Sequence, residues 1–224
     1  MSKLAVEAPI GYEERAQLCH NKVARDLFTL MERKKTNLAF NANVQSSTKL
    51  LQLAKEVGPH ICILKTNISL LQDFKPSVTK QLKDLAKQLH FILFEDSLAD
   101  WASITNAHAS KSQPSSIEAL REAAQPQGNA LLLSADAPSA KAALRIARSY
   151  PDFVMGFVSQ KRLVDDPGLL HITPDVKAPD KAIFDQGNDI VIVGKEISDA
   201  SKPAATAQMY RMAAWKAYER RFED

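Results

Sequence analysis

Eight short apolar runs alternate along the chain with segments of helical periodicity, and this alternation limits the possible fold more than any other feature. The runs are "LAFNANV" (38–44), "ICILKT" (61–66), "FILFED" (91–96), "SITNAH" (103–108), "ALLLSAD" (130–136), "FVMGFVS" (153–159), "LLHIT" (169–173) and "DIVIVG" (189–194). Continuous apolar strands separated by helices are typical of a parallel sheet covered by helices. Eight of them predict one α/β domain over residues 1–224, a (β/α)8 TIM barrel, with residues 1–15 as an N-terminal extension.

Helical periodicity is clearest in three of the segments outside the runs. Leu50, Ala54 and Val57 follow Ser46 and Ser47, which predicts a capped amphipathic helix. A second helix before the first strand has an apolar stripe of Val23, Leu27, Leu30 and Met31. The C-terminal segment predicts a closing helix, and its residues expected to face inward are Met209, Met212, Ala213 and Trp215.

Charge and cysteine content exclude several classes of protein. The 29 basic residues are interleaved with 26 acidic ones and the net charge is +3, so no basic stripe predicts nucleic-acid binding. No apolar stretch reaches membrane-spanning length, and the N-terminus lacks the apolar core of a signal peptide. We therefore expect a soluble, cytoplasmic protein. Cys19 and Cys62 lack metal-ligand spacing, which predicts two reduced thiols and no metal site.

Polar residues end nearly every apolar run, and active sites of TIM barrels lie where the strands end. These residues are Asn43, Lys65, Asn67, Asp96, Asn106, His108, Asp136, Ser159, Thr173 and Lys195. Taken singly, most of them fit ordinary loop positions. Lys65 and Asp96 differ because they end consecutive runs, and strands that pair lie about 5 Å apart, which would allow an ion pair at the barrel mouth.

At these residues the chain resembles orotidine 5′-monophosphate decarboxylase of the eukaryotic type. The resemblance runs from about Tyr12 to Tyr218 and is carried by "YEERAQLCHNKVARDLFTLMERKKTNLAF", "EVGPHICILKTN", "FILFED", "WASITNAH", "DFVMGFVSQKRL", "ITPDV" and "DIVIVGKEI". It implies a TIM barrel and an enzyme that removes the orotate carboxylate without cofactor or metal.

The chain departs from that family's pattern directly after "FED". In the family, FED opens a D-x-K-x-x-D motif whose Lys protonates the carbanion and whose second Asp serves the partner subunit. Here "LADWASITNAH" resembles a later family segment, so the catalytic loop and its helix are expected to be absent and the barrel shortened between strands three and four.

Only residues 97–102 remain to connect these two strands, and six extended residues span roughly 20 Å. The uncovered strands predict self-association, as a homodimer, or binding of a partner, through a surface that includes Leu98 and Trp101. Alternatively, Trp101 folds inward as core and the chain is a monomer.

Further departures concern the ribosyl phosphate. Asn43 stands where the family has an Asp for the ribose hydroxyls, and Asn67 where it has a His. The family's phosphate loop after strand seven has no counterpart in "ITPDVKAPDKAIF", a second expected shortening. Lys195 and Glu196 replace the end of a G-R-G motif, which removes a bidentate fork and adds a negative charge. The sequence therefore predicts poor binding of a nucleotide monophosphate.

The residues that remain define the predicted site. Lys65 and Asp96 are the predicted catalytic residues. Ser139 resembles the family's pyrimidine-contacting serine, and Pro174 lies in its Thr-Pro turn. The predicted substrate-binding residues are Asn43, Asn67, Asn106, Ser139, Pro174 and Lys195.

These residues predict a repurposed, cofactor-free enzyme that acts on a small, non-phosphorylated metabolite at the barrel mouth. It would be a lyase catalysing decarboxylation, or an isomerase or cyclase working by proton transfer. A Schiff-base aldolase fits less well, because the neighbouring carboxylate favours protonated Lys65 and a nucleophilic amine needs the opposite. The alternative is a catalytically inactive barrel that serves as a binding or regulatory protein.

Overall fold

The computed structural model describes residues 9–96, 100–109, 114–136 and 138–223. Eight parallel strands form a closed barrel in which each strand pairs with the next and β8 pairs with β1, which confirms the predicted (β/α)8 fold. The strands are β1 Leu38–Asn41, β2 Ile63–Thr66, β3 Ile92–Glu95, β4 Ile104–His108, β5 Ala130–Ser134, β6 Val154–Val158, β7 Leu170–Thr173 and β8 Ile190–Val193.

Helices cover most of the connections between strands. The α-helices are α1 Tyr12–Leu18, α2 Lys22–Lys34, α3 Ser47–Val57, α4 Pro76–Leu89, α5 Pro114–Ala124, α6 Ala140–Ser149, α7 Lys195–Ser198 and α8 Pro203–Glu219. The β6–β7 connection contains no helix, and the β7–β8 connection contains only a five-residue π-helical turn, Lys181–Asp185. Among the helices in the described part of the chain, none is long and apolar enough to cross a lipid bilayer.

Side-chain capping fixes the helices that precede β1 and β2. The Asn21 side chain accepts a hydrogen bond from the Ala24 amide at the start of α2. The serine cap predicted for α3 is wrong: Ser46 makes no side-chain cap, and the Ser47 amide instead donates to the Asp73 carboxylate, 2.7 Å away. The carboxylate of Asp73, 26 residues further along the chain, therefore caps the N-terminus of this helix.

The β3–β4 connection has no helix over residues 100–103, and residues 97–99, including Leu98, lie outside the described part of the chain. Trp101 is only 8% exposed and packs in the main core. The expectation that Trp101 forms part of an exposed association surface is therefore wrong, because its ring already covers the barrel wall. Self-association itself stays a prediction.

The closing helix α8 buries a different face from the one predicted. Met209 and Met212 are 59% and 62% exposed, and Ala213 is exposed too, whereas Trp215 is buried as expected. The residues of α8 that face the barrel are Ala207, Tyr210, Ala214, Trp215, Ala217 and Tyr218. Because apolar residues surround this helix on nearly all sides, its sequence does not indicate which face is buried.

A buried ion pair lies at the N-terminal end of the barrel. Arg15 donates to both carboxylate oxygens of Asp189, which directly precedes β8, and to the carbonyl oxygen of Leu169 before β7. Tyr12 and Arg15 fall within the predicted N-terminal extension, yet both are buried. Burial alone would raise the pKa of Asp189, but the charge and hydrogen bonds of Arg15 outweigh it and lower that pKa to about 2.

His171 on β7 belongs to the same cluster. Its ring is fully buried against Phe157, and its Nδ1 lies 4.0 Å from the Asp189 carboxylate. Burial lowers the pKa of His171 to about 4, and the charges of Arg162 and Arg15 add to this effect while Asp189 opposes it. The histidine is therefore neutral at pH 7.

Candidate functional site

Lys65 and Asp96 form an ion pair at the C-terminal ends of β2 and β3. Lys65 lies opposite Phe94 in the parallel register, and Asp96 is two residues further along, so all three side chains point to the same side of the sheet. The Lys65 Nζ lies 2.8 Å from each Asp96 carboxylate oxygen and 5.3 Å from the centre of the Phe94 ring. The two charged side chains are 16% and 35% exposed, so solvent or a ligand can reach both of them.

The neighbouring acid, Glu95, faces the opposite side of the sheet and is buried. Its carboxylate accepts hydrogen bonds from the Thr66 hydroxyl at 2.9 Å and the Ile68 amide at 3.2 Å. Burial raises the pKa of Glu95, although both hydrogen bonds oppose the rise. This acid therefore holds the end of β2 in place, and of the two consecutive acids only Asp96 is available at the mouth.

Asn41 is a site residue that the sequence analysis did not single out. It is the last residue of β1, lies opposite Lys65 in the register, and its side-chain oxygen is buried without a hydrogen-bond partner among the described residues. Its Cβ also packs against Gly194, where an added Cβ would come within 3.5 Å. Asn41, Lys65 and Asp96 thus form a row across three adjacent strands, with an unsatisfied acceptor at one end.

Asn43, the residue predicted from β1, lies beyond the strand and is exposed. Asn67 is occupied locally, because its side chain accepts from the Ser69 amide at 3.1 Å and caps a short 3-10 turn. Lys195 is 87% exposed in its side chain, and its Nζ lies 3.9 Å from Asp199 one helical turn later. Among the described residues, no hydrogen bond or ion pair links any of these three residues to Lys65 or Asp96, and their role in binding stays a prediction.

A cavity lies on the other side of the mouth, at the C-terminal ends of β4 to β7. It has a volume of about 780 Å³. Its wall includes His108, Asp136, Ser139, Ser159, Arg162 and Pro174. Ser139 and Pro174 line this cavity, whereas Lys65 and Asp96 do not.

Ser139 and Asn106 are fixed by neighbouring side chains. The Ser139 hydroxyl donates to the Asp136 carboxylate and accepts from the Asp136 amide, 2.9 Å away. These hydrogen bonds lower the pKa of Asp136. The Asn106 side chain accepts from the Ser134 hydroxyl at 2.9 Å, which links β4 to β5. The wall of the cavity is therefore preorganised, and its polar groups are mostly engaged with one another.

A sequence model of the orotidine 5′-phosphate decarboxylase / HUMPS family matches residues 36–210, most of the chain. The chain belongs to this family. It is 36% identical to the orotidine 5′-phosphate decarboxylase of Aureobasidium pullulans over 253 aligned residues, which cover 93% of each chain. It is 34% identical to the enzyme of Rhizopus oryzae, over 92% of this chain and 94% of that one.

Solved structures similar to this family member share its fold at low sequence identity. The orotidine 5′-monophosphate decarboxylase of Sulfolobus solfataricus superposes with a TM-score of 0.64 and 16% identity, over 81% of this chain and 99% of its own. The thiamine phosphate pyrophosphorylase of Pyrococcus furiosus gives 0.60 and 13%, over 85% and 98%. Two barrels named for different reactions fit equally well, so the barrel itself does not determine the chemistry.

The family member has no metal-binding cluster in the part of the chain that the structure describes, where no three His, Cys, Asp or Glu side chains converge. Its two cysteines, Cys19 and Cys62, are buried free thiols. Burial raises the pKa of the Cys19 thiol to about 11 and that of Cys62 to about 12. Neither thiol is placed to act at the mouth as a nucleophile or ligand.

Proposed function

We propose that the protein is a divergent member of the orotidine 5′-phosphate decarboxylase family that acts on a small, non-phosphorylated metabolite through Lys65 and Asp96. The observation that carries this proposal is the accessible ion pair at the mouth, with Nζ 2.8 Å from both carboxylate oxygens. The pair survives at the mouth although the four residues after Asp96, Ser97 to Asp100, contain no lysine. This stretch of the sequence therefore supplies no second lysine that could act as a proton donor beside Lys65.

The length of the alignment supports the loss of catalytic segments. Coverage of 93% of 224 residues is about 208 residues, whereas the alignment to the Aureobasidium enzyme runs over 253, so about 45 aligned positions have no residue in this chain. The short β3–β4 and β7–β8 connections are two places for such losses. In addition, Lys195 points into solvent towards Asp199 rather than into the mouth. These features argue against a phosphorylated substrate.

The ion pair can support a decarboxylation without cofactor. A substrate carboxylate placed beside Asp96 would be destabilised by charge repulsion, which favours breaking its C–C bond and releasing CO2. The electron pair stays on the substrate carbon, and a proton from the Lys65 Nζ forms the new C–H bond. The neutral amine then takes a proton from solvent, which restores the ion pair.

The same two groups can instead move a proton within one substrate. Asp96 would remove a proton from carbon while Lys65 delivers one at a second position, as isomerisation or cyclisation requires. Apolar residues of the cavity wall, including Val158 and Leu163, would hold the body of such a substrate.

Two assays test this function. With orotidine 5′-monophosphate at millimolar concentration, we expect CO2 release at least about 10³-fold below ordinary enzyme rates, because loss of one donor aimed at transition-state charge alone costs 10²- to 10³-fold. With a set of small carboxylic acids in D2O, we expect one class to lose CO2 or exchange a C–H proton, as read by NMR. Nucleotide turnover within tenfold of ordinary rates would contradict the proposal.

Variants then assign the activity to the ion pair. Lys65→Met and Asp96→Asn should each abolish it. Lys80→Met is the matched control, because Lys80 also pairs with an aspartate, Asp84 at 3.6 Å, but on the exposed surface of α4. If the two mouth variants keep the activity of the wild type, Lys65 and Asp96 are not its catalytic residues.

A second function, a binding barrel without catalysis, is favoured by one observation. The 780 Å³ cavity includes Ser139 and Pro174 but neither Lys65 nor Asp96. Native mass spectrometry of the purified protein tests it by detecting a retained small molecule. A ligand lost in Ala140→Trp, which fills the cavity, but kept unchanged in size and occupancy in Lys65→Met would favour the binding protein over the enzyme.

A further inference from the structure

A second cavity, of about 400 Å³, lies outside the barrel mouth and is unusually rich in arginine. It is bordered by the chain before α1, the β6–β7 connection and the C-terminal turn Arg220–Phe222. Arg15, Arg162 and Arg221 all reach its wall, and neither Lys65 nor Asp96 does. The cavity is therefore separate from the candidate catalytic site.

Arg15 is fully engaged inside the protein. Its guanidinium donates to the carbonyl oxygens of Pro167 and Leu169 and to both Asp189 oxygens, as described for the buried ion pair. Asp189 is therefore engaged chiefly by Arg15. It also lies 3.7 Å from the Arg162 guanidinium, without a hydrogen bond, and forms no ion pair with Arg221, so it only partly offsets the positive charge of these two arginines.

Arg162 has weak counterions. Among the described residues its one hydrogen bond runs to the Gly187 carbonyl oxygen, 3.0 Å away. Its two nearest carboxylates, Asp165 and Asp189, are each 3.7 Å away, and the Asp165 side chain is fully exposed. Burial lowers the pKa of Arg162, and the nearby charges of Arg15 and Arg221 contribute to the lowering. A guanidinium with free donors thus faces the cavity.

Arg221 has no carboxylate partner in the described part of the chain. Its Nε donates to the Ile183 carbonyl oxygen at 3.1 Å, and an Nη donates to the Asn188 carbonyl oxygen at 2.6 Å. Backbone oxygens satisfy some of its donors but supply no net charge. Three arginines at the wall are opposed by two carboxylates, Asp165 in the wall and the buried Asp189, which leaves an excess of positive charge that would favour an anion.

We infer that this cavity binds a small metabolite through an oxyanion group, phosphate or carboxylate, held between Arg162 and Arg221. Nη1 of Arg221 and Nε and Nη2 of Arg162 make no hydrogen bond among the described residues, and several free donors on two guanidinium groups suit an oxyanion with several acceptor oxygens. The apolar part of the ligand would lie against Ile10, Pro167 and Phe184, which also line the cavity. The volume accommodates a small metabolite rather than a polymer.

Anion binding by the intact protein tests this inference. Inorganic phosphate and malonate serve as probes, and sodium chloride at equal ionic strength serves as the reference. Isothermal titration calorimetry should give a dissociation constant of a few millimolar or tighter for at least one probe, and that probe should raise the melting temperature above the chloride reference. The two probes separate a phosphate site from a carboxylate site.

Three variants locate the site. Arg162→Met and Arg221→Lys should each weaken binding at least tenfold, the second because one ammonium group cannot both hold the carbonyl oxygens of Ile183 and Asn188 and reach the anion. Arg145→Met, which removes the same charge from an exposed position of α6, should stay within twofold of the wild type. If Arg162→Met does not fold, Arg162→Lys replaces it with the same expected loss.

Three results would overturn the inference. The first is no binding of either probe beyond the chloride reference. The second is an equal loss in Arg145→Met, which would indicate a general effect of charge. The third is loss in the Arg162 variant with wild-type binding in Arg221→Lys, because Arg162 also lines the mouth cavity whereas Arg221 does not. None of these outcomes depends on whether Lys65 and Asp96 are catalytic.

Discussion

Two ion pairs at opposite ends of the barrel, Lys65–Asp96 and Arg15–Asp189, differ in almost every physical respect. At the mouth, Lys65 and Asp96 are 16% and 35% exposed and are held chiefly by each other. At the opposite end, Arg15 and Asp189 are 5% and 0% exposed. There the carboxylate also accepts from the His171 amide, and the guanidinium also donates to two backbone carbonyl groups.

This difference separates a group that supports the fold from one that can exchange partners. A buried pair whose other hydrogen bonds are satisfied cannot accept a ligand without leaving a charge unpaired, so it serves structure. An accessible pair loses little when water or a substrate replaces one partner. The comparison therefore predicts large stability effects at the N-terminal end of the barrel and small ones at the mouth.

Breaking the buried pair should have the largest effect. Arg15→Met leaves the Asp189 carboxylate buried without its cation, which typically destabilises a protein by about 3–5 kcal/mol. Urea unfolding followed by circular dichroism measures this. Lys22→Met is the control, since Lys22 pairs with Asp26 on the surface and its loss should cost less than about 1 kcal/mol. Equal effects of the two substitutions would contradict the distinction.

Acidification should have the second-largest effect on the free energy of unfolding, and it acts at the buried end of the barrel. The pKa of His171 is lowered from 6.5 to about 4 in the folded protein, so the unfolded chain binds more protons between these values. The contribution of neutral His171 to the free energy of unfolding is therefore fully present above pH 6.5 and is lost as the pH falls towards 4. Between pH 7 and 5 the loss is about 2 kcal/mol. Asp189, whose pKa is lowered to about 2, loses its contribution only below about pH 4.

The difference between wild type and His171→Leu isolates this effect. Glu95, with a raised pKa, and His60, with a lowered one, also contribute to the pH dependence, but both are present in the two proteins. Unfolding in urea at pH 5, 6 and 7 should show a steeper fall for the wild type. Parallel curves for the two proteins would mean that His171 does not carry the effect.

Breaking the pair at the mouth should have the smallest effect on stability. Lys65→Met and Asp96→Asn should each change the free energy of unfolding by about 1 kcal/mol or less, because both groups remain within reach of water. The same urea titration measures it. A loss of more than about 3 kcal/mol would place this pair with the buried one and weaken the argument that it is available for chemistry.

The sequence was sufficient to predict the barrel and the ion pair at its mouth. Most strands are runs of apolar residues on both faces, a pattern typical of parallel strands, and only the ends shift by one to three residues. Lys65 and Asp96 could be paired because consecutive strands of a barrel are neighbours, so adjacency in the chain implied adjacency in space.

Contacts between distant parts of the chain could not be predicted in this way. Asp189 and Arg15 are 174 positions apart, and each alone fits an ordinary loop or helix position. The sequence pointed to Asn43 and not to Asn41 as the site residue of β1, because the apolar run does not mark where the strand ends. The exposed face of α8 was misassigned for a related reason: Met209 and Met212 are apolar, and their exposure depends on packing rather than on periodicity.

Arg162 belongs to the helix-free connection between β6 and β7, and it is part of the wall of both cavities. A ligand that shifts this connection from one side therefore alters the surface offered on the other. Such a coupling is reciprocal by thermodynamic necessity: if an anion changes the affinity of the mouth for its ligand by some factor, that ligand changes the affinity for the anion by the same factor. Because Arg162 is shared by the two cavities, binding of one metabolite would change the affinity of the barrel for the other.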